Sequence, residues 1–389
     1  MPPRIANLVL PPFDPLNVRA AELRSQGRDV ISLGQAVPFF PPPPAAVAAA
    51  QAAIARPEVH RYATDPGMPS LRAILADRLM AECGSSIAVA DLIISAGANH
   101  AFALALTAIL EDADDEVVLP APYFTNHQMM VVALGATPVE APVADRVTFS
   151  LTWEDIEPHL TARTRAVVLC NPSNPTGAPV TAADGTRIVR ELAARGIRVI
   201  SDETYMRFVY EGDHWSAASL DGWRQNVIVI GTFSKAFGMM GWRVGFLLAD
   251  AAVCREVVKV QDAMIICAPV LSQVMAETAV RDEWDYPRSF HAEFLRRRTA
   301  LAEALKAVPG VTWQVGRGGM FAFVRIPGCE NSEQLSLDLL ERANVVTIPG
   351  SAFGATGEGY LRLSYGFAPA DMIIEGVSRI HTFLAAGTR

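Results

Sequence analysis

Lysine is almost absent from this chain of 389 residues, although arginine is common. Only Lys235, Lys259 and Lys306 occur. Arginine therefore supplies most of the positive charge, and a retained lysine is a candidate for chemistry that a guanidinium cannot perform, such as nucleophilic attack by an amine. Lys259 and Lys306 lie in helix-like stretches, where a solvated surface position is the default. Lys235 lies in a glycine-flanked loop, GTFSKAFG, directly after an apolar run, which singles it out.

The chain also lacks long basic runs, and its net charge is -8. Nucleic acids and anionic membrane surfaces need clustered Lys and Arg, so neither is expected as a partner. The longest apolar run, near residues 45–55, contains Gln51 and is too short to cross a bilayer, and residues 1–10 lack a signal-peptide pattern. The five cysteines are scattered without a CxxC pair. We therefore expect reduced thiols, no metal site and a soluble protein of the cytoplasm.

Short β-rich runs alternate with longer helical runs after about residue 45. Such alternation implies a mostly parallel sheet with helices on both faces, which is an α/β fold. A helix is also expected over residues 17–26, before this region. The main strands are predicted at residues 92–95, 116–119, 166–170, 198–201, 227–230 and 244–248.

The pattern changes after about residue 285. A long polar helix over residues 287–307 precedes predicted strands at residues 320–326, 345–348 and 360–364. This tail predicts a smaller α+β domain. The expected division is an N-terminal segment over residues 1–44 that packs with the small domain, a large domain over residues 45–285 and a small C-terminal domain over residues 286–389.

Polar residues follow several of the predicted strands at the point where each strand ends. In open parallel sheets, ligands bind just beyond the carboxyl ends of the strands, so we expect these side chains to converge. The set is suited to a phosphorylated electrophilic ring, with a helix N-terminus and an arginine for the phosphate and an acid for a ring nitrogen. The residues are Gly97–Asn99, Asn171, Asn174, Asp202, Tyr205, Thr232, Ser234, Lys235 and Arg243.

Four segments of the sequence form a recognisable set: NPSNPTG at 171–177, SDETY at 201–205, TFSKAFGMMGWRVGF at 232–246 and YLRLSYG at 360–366. With them the sequence resembles the class I/II aminotransferases, the fold-type I pyridoxal-phosphate enzymes related to aspartate and aromatic aminotransferases. Tyr62 with Gly67 and the Leu71-Arg72 pair fits a further pattern of this family. The resemblance runs from about Leu33 to the C-terminus.

The resemblance implies pyridoxal 5'-phosphate as cofactor, with Lys235 as the Schiff-base lysine that also moves the Cα proton. It implies Asp202 as partner of the pyridine nitrogen, and Asn174 and Tyr205 as ligands of the phenolic oxygen. Tyr123 is expected to stack on the ring. The remaining residues of the implied phosphate site are Gly97, Ala98, Asn99, Arg243 and either Thr232 or Ser234.

The family also implies a homodimer with shared active sites, in which Tyr62 reaches the phosphate of the neighbouring subunit. Arg362 is expected to bind the substrate α-carboxylate, with support from Gly34 and with Asn174 nearby. A planar guanidinium suits a carboxylate better than an ammonium does. The implied reaction moves an amino group between an L-amino acid and a 2-oxo acid.

The substrate is a separate hypothesis. Relatives that prefer aspartate can carry a lysine in the phosphate-loop region, where this chain has Asn99 and His100. Phe39 and Phe40 follow Gly34 in the segment expected to line the pocket. We therefore hypothesise an apolar or aromatic substrate, with Phe39 in contact with it; anchoring of these rings in the core is the competing interpretation.

Two other functions stay open at this point. Pyridoxal-phosphate chemistry on the same scaffold includes lyases, decarboxylases, cyclases and racemases, because a fold does not fix a reaction. A non-catalytic ligand-binding module is a second alternative, although such regulators carry a DNA-binding domain that residues 1–44 are too short and proline-rich to form. The roles of His100 and His127 are left open as well.

Overall fold

A seven-stranded sheet and a three-stranded sheet organise the computed structural model, which describes residues 3–6 and 8–386. Apolar and β-branched residues dominate the strands of the large sheet, as burial on both faces requires. The strands are β1 (Ile31–Ser32), β2 (Leu92–Ser95), β3 (Glu116–Ala121), β4 (Thr137–Pro142), β5 (Thr164–Cys170), β6 (Arg198–Asp202), β7 (Val227–Thr232), β8 (Gly245–Leu248), β9 (Phe321–Arg325), β10 (Val345–Val346), β11 (Ile348–Pro349) and β12 (Tyr360–Ser364).

The large sheet has the order β2-β8-β7-β6-β5-β3-β4. Only β8 runs antiparallel to its neighbours, so the predicted, mostly parallel α/β sheet is confirmed. In the register of the central strands, Cys170 lies opposite Asp202, which lies opposite Ile230. The carboxyl ends of β5, β6 and β7 therefore open onto one edge of the sheet.

Helices cover both faces of the large sheet and also pack against the small sheet. Their apolar residues form two clusters around the large sheet and two more around the small one. The helices are α1 (Pro3–Ala6), α2 (Phe13–Ser25), α3 (Pro44–Ala53), α4 (Pro69–Cys83), α5 (Ala98–Ile109), α6 (Thr125–Leu134), α7 (Trp153–Ile156), α8 (Ala182–Ala194), α9 (Phe233–Ala236), α10 (Ala251–Ile265), α11 (Val270–Asp282), α12 (His291–Lys306), α13 (Ser332–Ala343) and α14 (Ala370–Ala385).

The small sheet has the antiparallel order β11-β12-β9 and packs with α12, α13 and α14. The single strand predicted at residues 345–348 is wrong, because the chain divides there into two strands of different sheets. β10 pairs in parallel with β1 of the N-terminal segment, whereas β11 pairs with β12. The helix predicted from residue 287 begins as a 3-10 turn at Tyr286–Phe290, where Pro287 cannot donate a backbone N–H, and becomes α12 at His291.

None of the helices in the described part of the chain is both long and apolar enough to cross a membrane.

Candidate active site

A cavity of about 420 Å³ opens at the carboxyl edge of the large sheet, between that sheet and the small one. Most of the residues predicted from sequence line it, although they come from segments more than 300 positions apart. The predicted residues that line the cavity are Gly34, Ala98, Asn99, Asn174, Asp202, Tyr205, Thr232, Ser234, Lys235, Arg243 and Arg362.

Lys235 lies in α9, the single helical turn that follows β7. Its Nζ donates a hydrogen bond to the carbonyl oxygen of Ala36, at 2.6 Å. Burial, with smaller contributions from the charges of Arg362 and Arg243, lowers the pKa of Lys235 to about 8. A substantial fraction of this amine is therefore neutral near pH 7–8, which is the form that attacks a carbonyl or accepts a proton.

Asp202 is the last residue of β6, and its carboxylate is buried. Burial alone raises its pKa, but hydrogen bonds from His127 and Thr204 outweigh burial, and the net pKa is below its ordinary value. Its Oδ2 lies 3.0 Å from His127 Nε2, and its Oδ1 accepts the Thr204 backbone N–H at 3.0 Å. The carboxylate is therefore held ionised at the cavity wall, where it can pair with a protonated ring nitrogen.

One end of the cavity is suited to an anion. Helix α5 begins there at Ala98 and directs unpaired backbone N–H groups toward it. Gly97 has a φ of 89°, and a Cβ at this position would lie 2.7 Å from Arg243 Nη2, so only glycine lets the arginine approach. The Thr232 hydroxyl lies 2.9 Å from Ser234 Oγ and accepts the Ser234 backbone N–H at 3.1 Å.

The opposite end of the cavity carries Arg362, which is only 3% exposed. Its Nη1 donates to Asn174 Oδ1 at 2.9 Å, and its Nη2 donates to the Gly34 carbonyl at 2.7 Å. Burial lowers the pKa of Arg362 to about 10, so it stays cationic at neutral pH. Its Nε has no hydrogen-bond partner among the described residues. A buried guanidinium with an unpaired donor is suited to bind a carboxylate.

Tyr205 lies between the two ends. Its ring packs edge-on against Phe321, with the ring centroids 5.2 Å apart, and only 4% of the residue is exposed. Burial raises the pKa of its hydroxyl, so the phenol stays protonated at neutral pH and remains available as a hydrogen-bond donor.

The expectation for Tyr123 is wrong in its position, because Phe124 lines the cavity and Tyr123 does not. The Tyr123 side chain points instead toward the loop after β11, where its ring lies beside Gly354. Burial and the nearby Glu140 carboxylate raise the pKa of its hydroxyl. The two rings are adjacent in sequence and leave a turn in different directions, which residue type alone did not reveal.

The expected substrate contact of Phe39 is also wrong. Its ring packs against Phe290 and Phe294, with centroids 5.5 Å and 5.2 Å away, and the Arg297 guanidinium lies 3.9 Å above it. This aromatic cluster anchors the N-terminal segment to α12. The competing interpretation, anchoring in the core, therefore describes both Phe39 and its neighbour Phe40.

Tyr62 does not line the cavity of its own chain, and 76% of its surface is exposed. Of the two histidines left open, His127 contacts Asp202, whereas His100 accepts the Ala96 N–H at 3.1 Å and is absent from the cavity wall.

Sequence reasoning missed several wall residues on loops and on α2. The order F-T-N-H at residues 124–127 carried a usable signal, because a polar residue in the first turn of a helix after a strand commonly faces a ligand. The missed residues are Phe13, Asn17, Gln35, Ala36, Val37, Phe124, Asn126, Cys170, Thr204, Met240 and Ile348.

The arrangement brings an amine of lowered pKa, a buried carboxylate and two arginines, Arg243 and Arg362, to the wall of one cavity. The described residues contain no group of three His, Cys, Asp or Glu side chains that could hold a metal ion. The donor set is suited to pyridoxal 5'-phosphate, since the anion site, Asp202 and Lys235 match its phosphate, ring nitrogen and aldehyde.

Comparison with known proteins agrees with this geometry. The family model described as "Aminotransferase class I and II" matches residues 28–380. The chain is 35% identical over 347 residues to an aspartate aminotransferase of Pyrococcus abyssi, covering 88% of each sequence. It is 33% identical to aromatic-amino-acid aminotransferase 2 of Thermococcus litoralis, covering 91% of this chain and 92% of the relative.

A solved structure of an aromatic aminotransferase from Pyrococcus horikoshii superimposes with a TM-score of 0.88 at 33% identity, over 94% of this chain and 99% of that one. The family model covers most of the sequence and includes the lysine, acid and arginine that converge on the cavity. The chain belongs to the class I and II aminotransferases and is a pyridoxal-phosphate-dependent aminotransferase of amino acids.

Proposed function

We propose that the cavity residues divide the work of amino transfer as follows. Lys235 carries the cofactor and moves the proton at the substrate Cα, since its amine has a lowered pKa and it lines the cavity. Asp202, held ionised by His127, pairs with the cofactor ring nitrogen. When bound, pyridoxal phosphate supplies an electron sink for the negative charge that develops at Cα.

The other cavity residues hold the reactants in place. Gly97, Ala98, Asn99, Thr232, Ser234 and Arg243 bind the phosphate, and Asn174 and Tyr205 contact the phenolic oxygen. Arg362 binds the substrate α-carboxylate, and the carbonyl groups of Gly34 and Ala36 keep the N-terminal segment against Arg362 and Lys235. This arrangement orients the Cα–H bond toward Lys235 and keeps water away from it.

We further propose that the amino acid has an apolar or aromatic side chain. Phe39 does not support an apolar substrate, because its ring packs in the core. The support comes from a second compartment of about 170 Å³. It shares Asn99 and Asn126 with the main cavity, and both are neutral amides. Its remaining walls are almost wholly apolar, so a carboxylate would lose hydration there without gaining a cation. The residues of these remaining walls are Leu8, Phe102, Met129, Met130 and Ala133.

A panel of amino donors with matched variants tests this substrate preference. Ala133→Phe fills the compartment and should raise KM for phenylalanine and methionine about tenfold while leaving alanine within about twofold. Ala193→Phe, on partly covered helix α8 far from the cavity, is the control substitution of the same size. Wild-type preference for aspartate or glutamate over all apolar donors would refute the proposal.

The remaining proposals concern organisation. We propose the division into residues 1–44, 45–285 and 286–389, supported by the two separate sheets and by the pairing of β1 with β10. We also propose a cytoplasmic homodimer in which the exposed Tyr62 reaches the partner's phosphate site. Sedimentation of the wild type and of Tyr62→Phe shows whether each protein is a dimer. If Tyr62→Phe is still dimeric, its affinity for the cofactor should be weaker than that of the wild type, which tests the shared site.

A further inference from the structure

Glu140 joins the large sheet to a loop of the small one. It lies on the edge strand β4, and its carboxylate accepts two backbone N–H groups, from Ala355 to Oε2 and from Thr356 to Oε1, both at 3.1 Å. The Tyr123 hydroxyl lies beside the same carboxylate, whose charge adds to burial in raising the pKa of that hydroxyl. The carboxylate therefore fixes the first turn of the 3-10 segment Ala355–Gly357 from across the two sheets.

Two more contacts hold the same loop. The Tyr123 backbone N–H donates to the Phe353 carbonyl at 3.0 Å, and the Arg146 guanidinium donates to the Thr356 carbonyl. Gly354 has a φ of 106°, and a Cβ on it would lie 2.9 Å from the Tyr123 ring and 3.0 Å from the Glu140 carboxylate. The close approach therefore depends on glycine at this position. We call Tyr123, Glu140 and Arg146 the latch.

The loop held by the latch carries one wall of the Arg362 site. Phe353 is fully buried, and its ring centroid lies 5.0 Å from the Arg362 guanidinium carbon. The Phe321 ring lies 4.9 Å and the Phe13 ring 5.4 Å from the same carbon. Because the guanidinium of Arg362 makes only two hydrogen bonds with the described residues, these rings supply much of what fixes its plane and hence the direction of its Nε, which has no partner among them.

We propose that Glu140 is a positioning residue for substrate carboxylate recognition, which acts through Phe353 on Arg362. This inference rests on the proposed role of Arg362. Glu140 lies outside the cavity wall and touches no reactant, so its effect is on affinity for the carboxylate and not on proton transfer by Lys235. Tyr123 supports Glu140 in this role and does not stack on the cofactor.

Glu140→Gln tests the proposal with little change of shape. Glutamine offers one acceptor oxygen, and its NH₂ group faces a second N–H, so one of the two backbone contacts is lost. We expect KM for the amino donor to rise about tenfold while kcat stays within about threefold. Calorimetric titration of the holoenzyme with 3-phenylpropionate, an unreactive carboxylate, should show the same tenfold weakening. Glu154→Gln, an exposed acid paired with Arg187 at 2.7 Å, is the matched control.

Tyr123→Phe is the second variant, and it carries the test if Glu140→Gln does not fold. It should weaken 3-phenylpropionate about threefold, since the carboxylate still accepts both backbone N–H groups. Unchanged KM and unchanged 3-phenylpropionate affinity in both variants, with only a lower melting temperature, would overturn the inference. Arg362→Lys tests the role of Arg362 separately from that of Glu140. If this variant keeps its affinity for 3-phenylpropionate, the proposed role of Arg362 fails, and not only the role of Glu140.

Discussion

Two consecutive acids at the end of β6 form similar pairs in different surroundings. Asp202 Oδ2 lies 3.0 Å from His127 Nε2, and Glu203 Oε2 lies 3.0 Å from His214 Nε2. Both acids are buried. Successive residues of a strand face opposite sides of a sheet, so the two pairs point to different parts of the molecule.

The pairs differ in how fully the acid is satisfied. Glu203 accepts further hydrogen bonds from Ser201 Oγ, Ser216 Oγ and the Ala217 N–H, at 3.0–3.1 Å, which uses its acceptor capacity within the protein. Among the described residues, the Asp202 carboxylate accepts hydrogen bonds only from His127 and Thr204, and it lines the cavity. We therefore expect the Glu203–His214 pair to be structural, because protein donors saturate its acid, and the Asp202–His127 pair to serve a ligand, because its acid keeps acceptor capacity.

The largest expected effect separates the two acids by activity. Asp202→Asn should lower kcat/KM about 10²–10³-fold, because it removes a preorganised charge from the cavity. Glu203→Gln should change kcat/KM of the folded protein less than about threefold. Steady-state kinetics normalised to folded protein give both values, and equal losses in the two variants would break the comparison.

The next effect concerns the stability of the folded protein. It tests whether the buried amine of Lys235, which is kept for a ligand, lowers the free energy of unfolding. Its pKa is lowered from 10.5 to about 8 in the folded protein, so below pH 8 the buried charge destabilises the cofactor-free protein. A shift of this size corresponds to about 3 kcal/mol. Between pH 8 and 10.5 the unfolded chain binds more protons, and wild-type stability rises with pH.

Lys235→Met should therefore be more stable than the wild type below pH 8, by a margin that shrinks toward pH 10.5. Urea unfolding of the cofactor-free proteins across this pH range measures the margin. Lys259→Met is the control, because Lys259 is exposed and pairs only with Glu256 at 2.6 Å. A margin that does not change with pH would contradict the lowered pKa.

A smaller effect concerns the stability that Glu203 supplies. Glu203→Gln leaves buried donors of Ser201, Ser216 or His214 without a full partner, and we expect a loss of about 1–3 kcal/mol in the free energy of unfolding. Asp202→Asn should cost less, since its carboxylate is less fully bonded. Chemical denaturation of both variants measures the two losses in the free energy of unfolding. A larger loss for Asp202→Asn would mean that a fully hydrogen-bonded acid does not identify the structural pair.

The smallest effect compares the two histidines. His127→Gln should lower kcat/KM about tenfold, because it removes a hydrogen bond that stabilises the ionised form of Asp202 and lowers its pKa. His214→Gln should leave kcat/KM unchanged within about twofold. The pH dependence of kcat/KM provides the check: its acidic limb should move to higher pH only in the His127 variant.

Much of the fold and of the cavity could be predicted from sequence. Strand and helix periodicity located the sheet, and residues with little conformational choice, such as Gly97 before a helix and Asp202 at a strand end, were placed correctly. Lys235 stood out because lysine is so rare here. These positions are determined by local backbone geometry, which the order of residues constrains directly.

The errors lie where tertiary packing decides. Tyr123 and Phe124 are both aromatic, and only the position of the loop around Gly354 shows which ring faces the cavity. The sequence predicts that Phe39 contacts the substrate, but its ring packs against Phe290, at the end of the 3-10 turn before α12, and Phe294 of α12, about 250 positions away. Contacts across that separation leave no local signature. The same limit hid Glu140, whose partners are more than 200 residues distant.

The most direct test of the central claim is the absorbance spectrum of the purified protein with pyridoxal phosphate, before and after single amino acids. The account predicts a visible band that depends on Lys235, that is lost when an amino donor is added and that returns with a 2-oxo acid. A band that never appears, or that is unchanged in Lys235→Met, would contradict the assignment of Lys235 and with it the proposed division of work in the cavity.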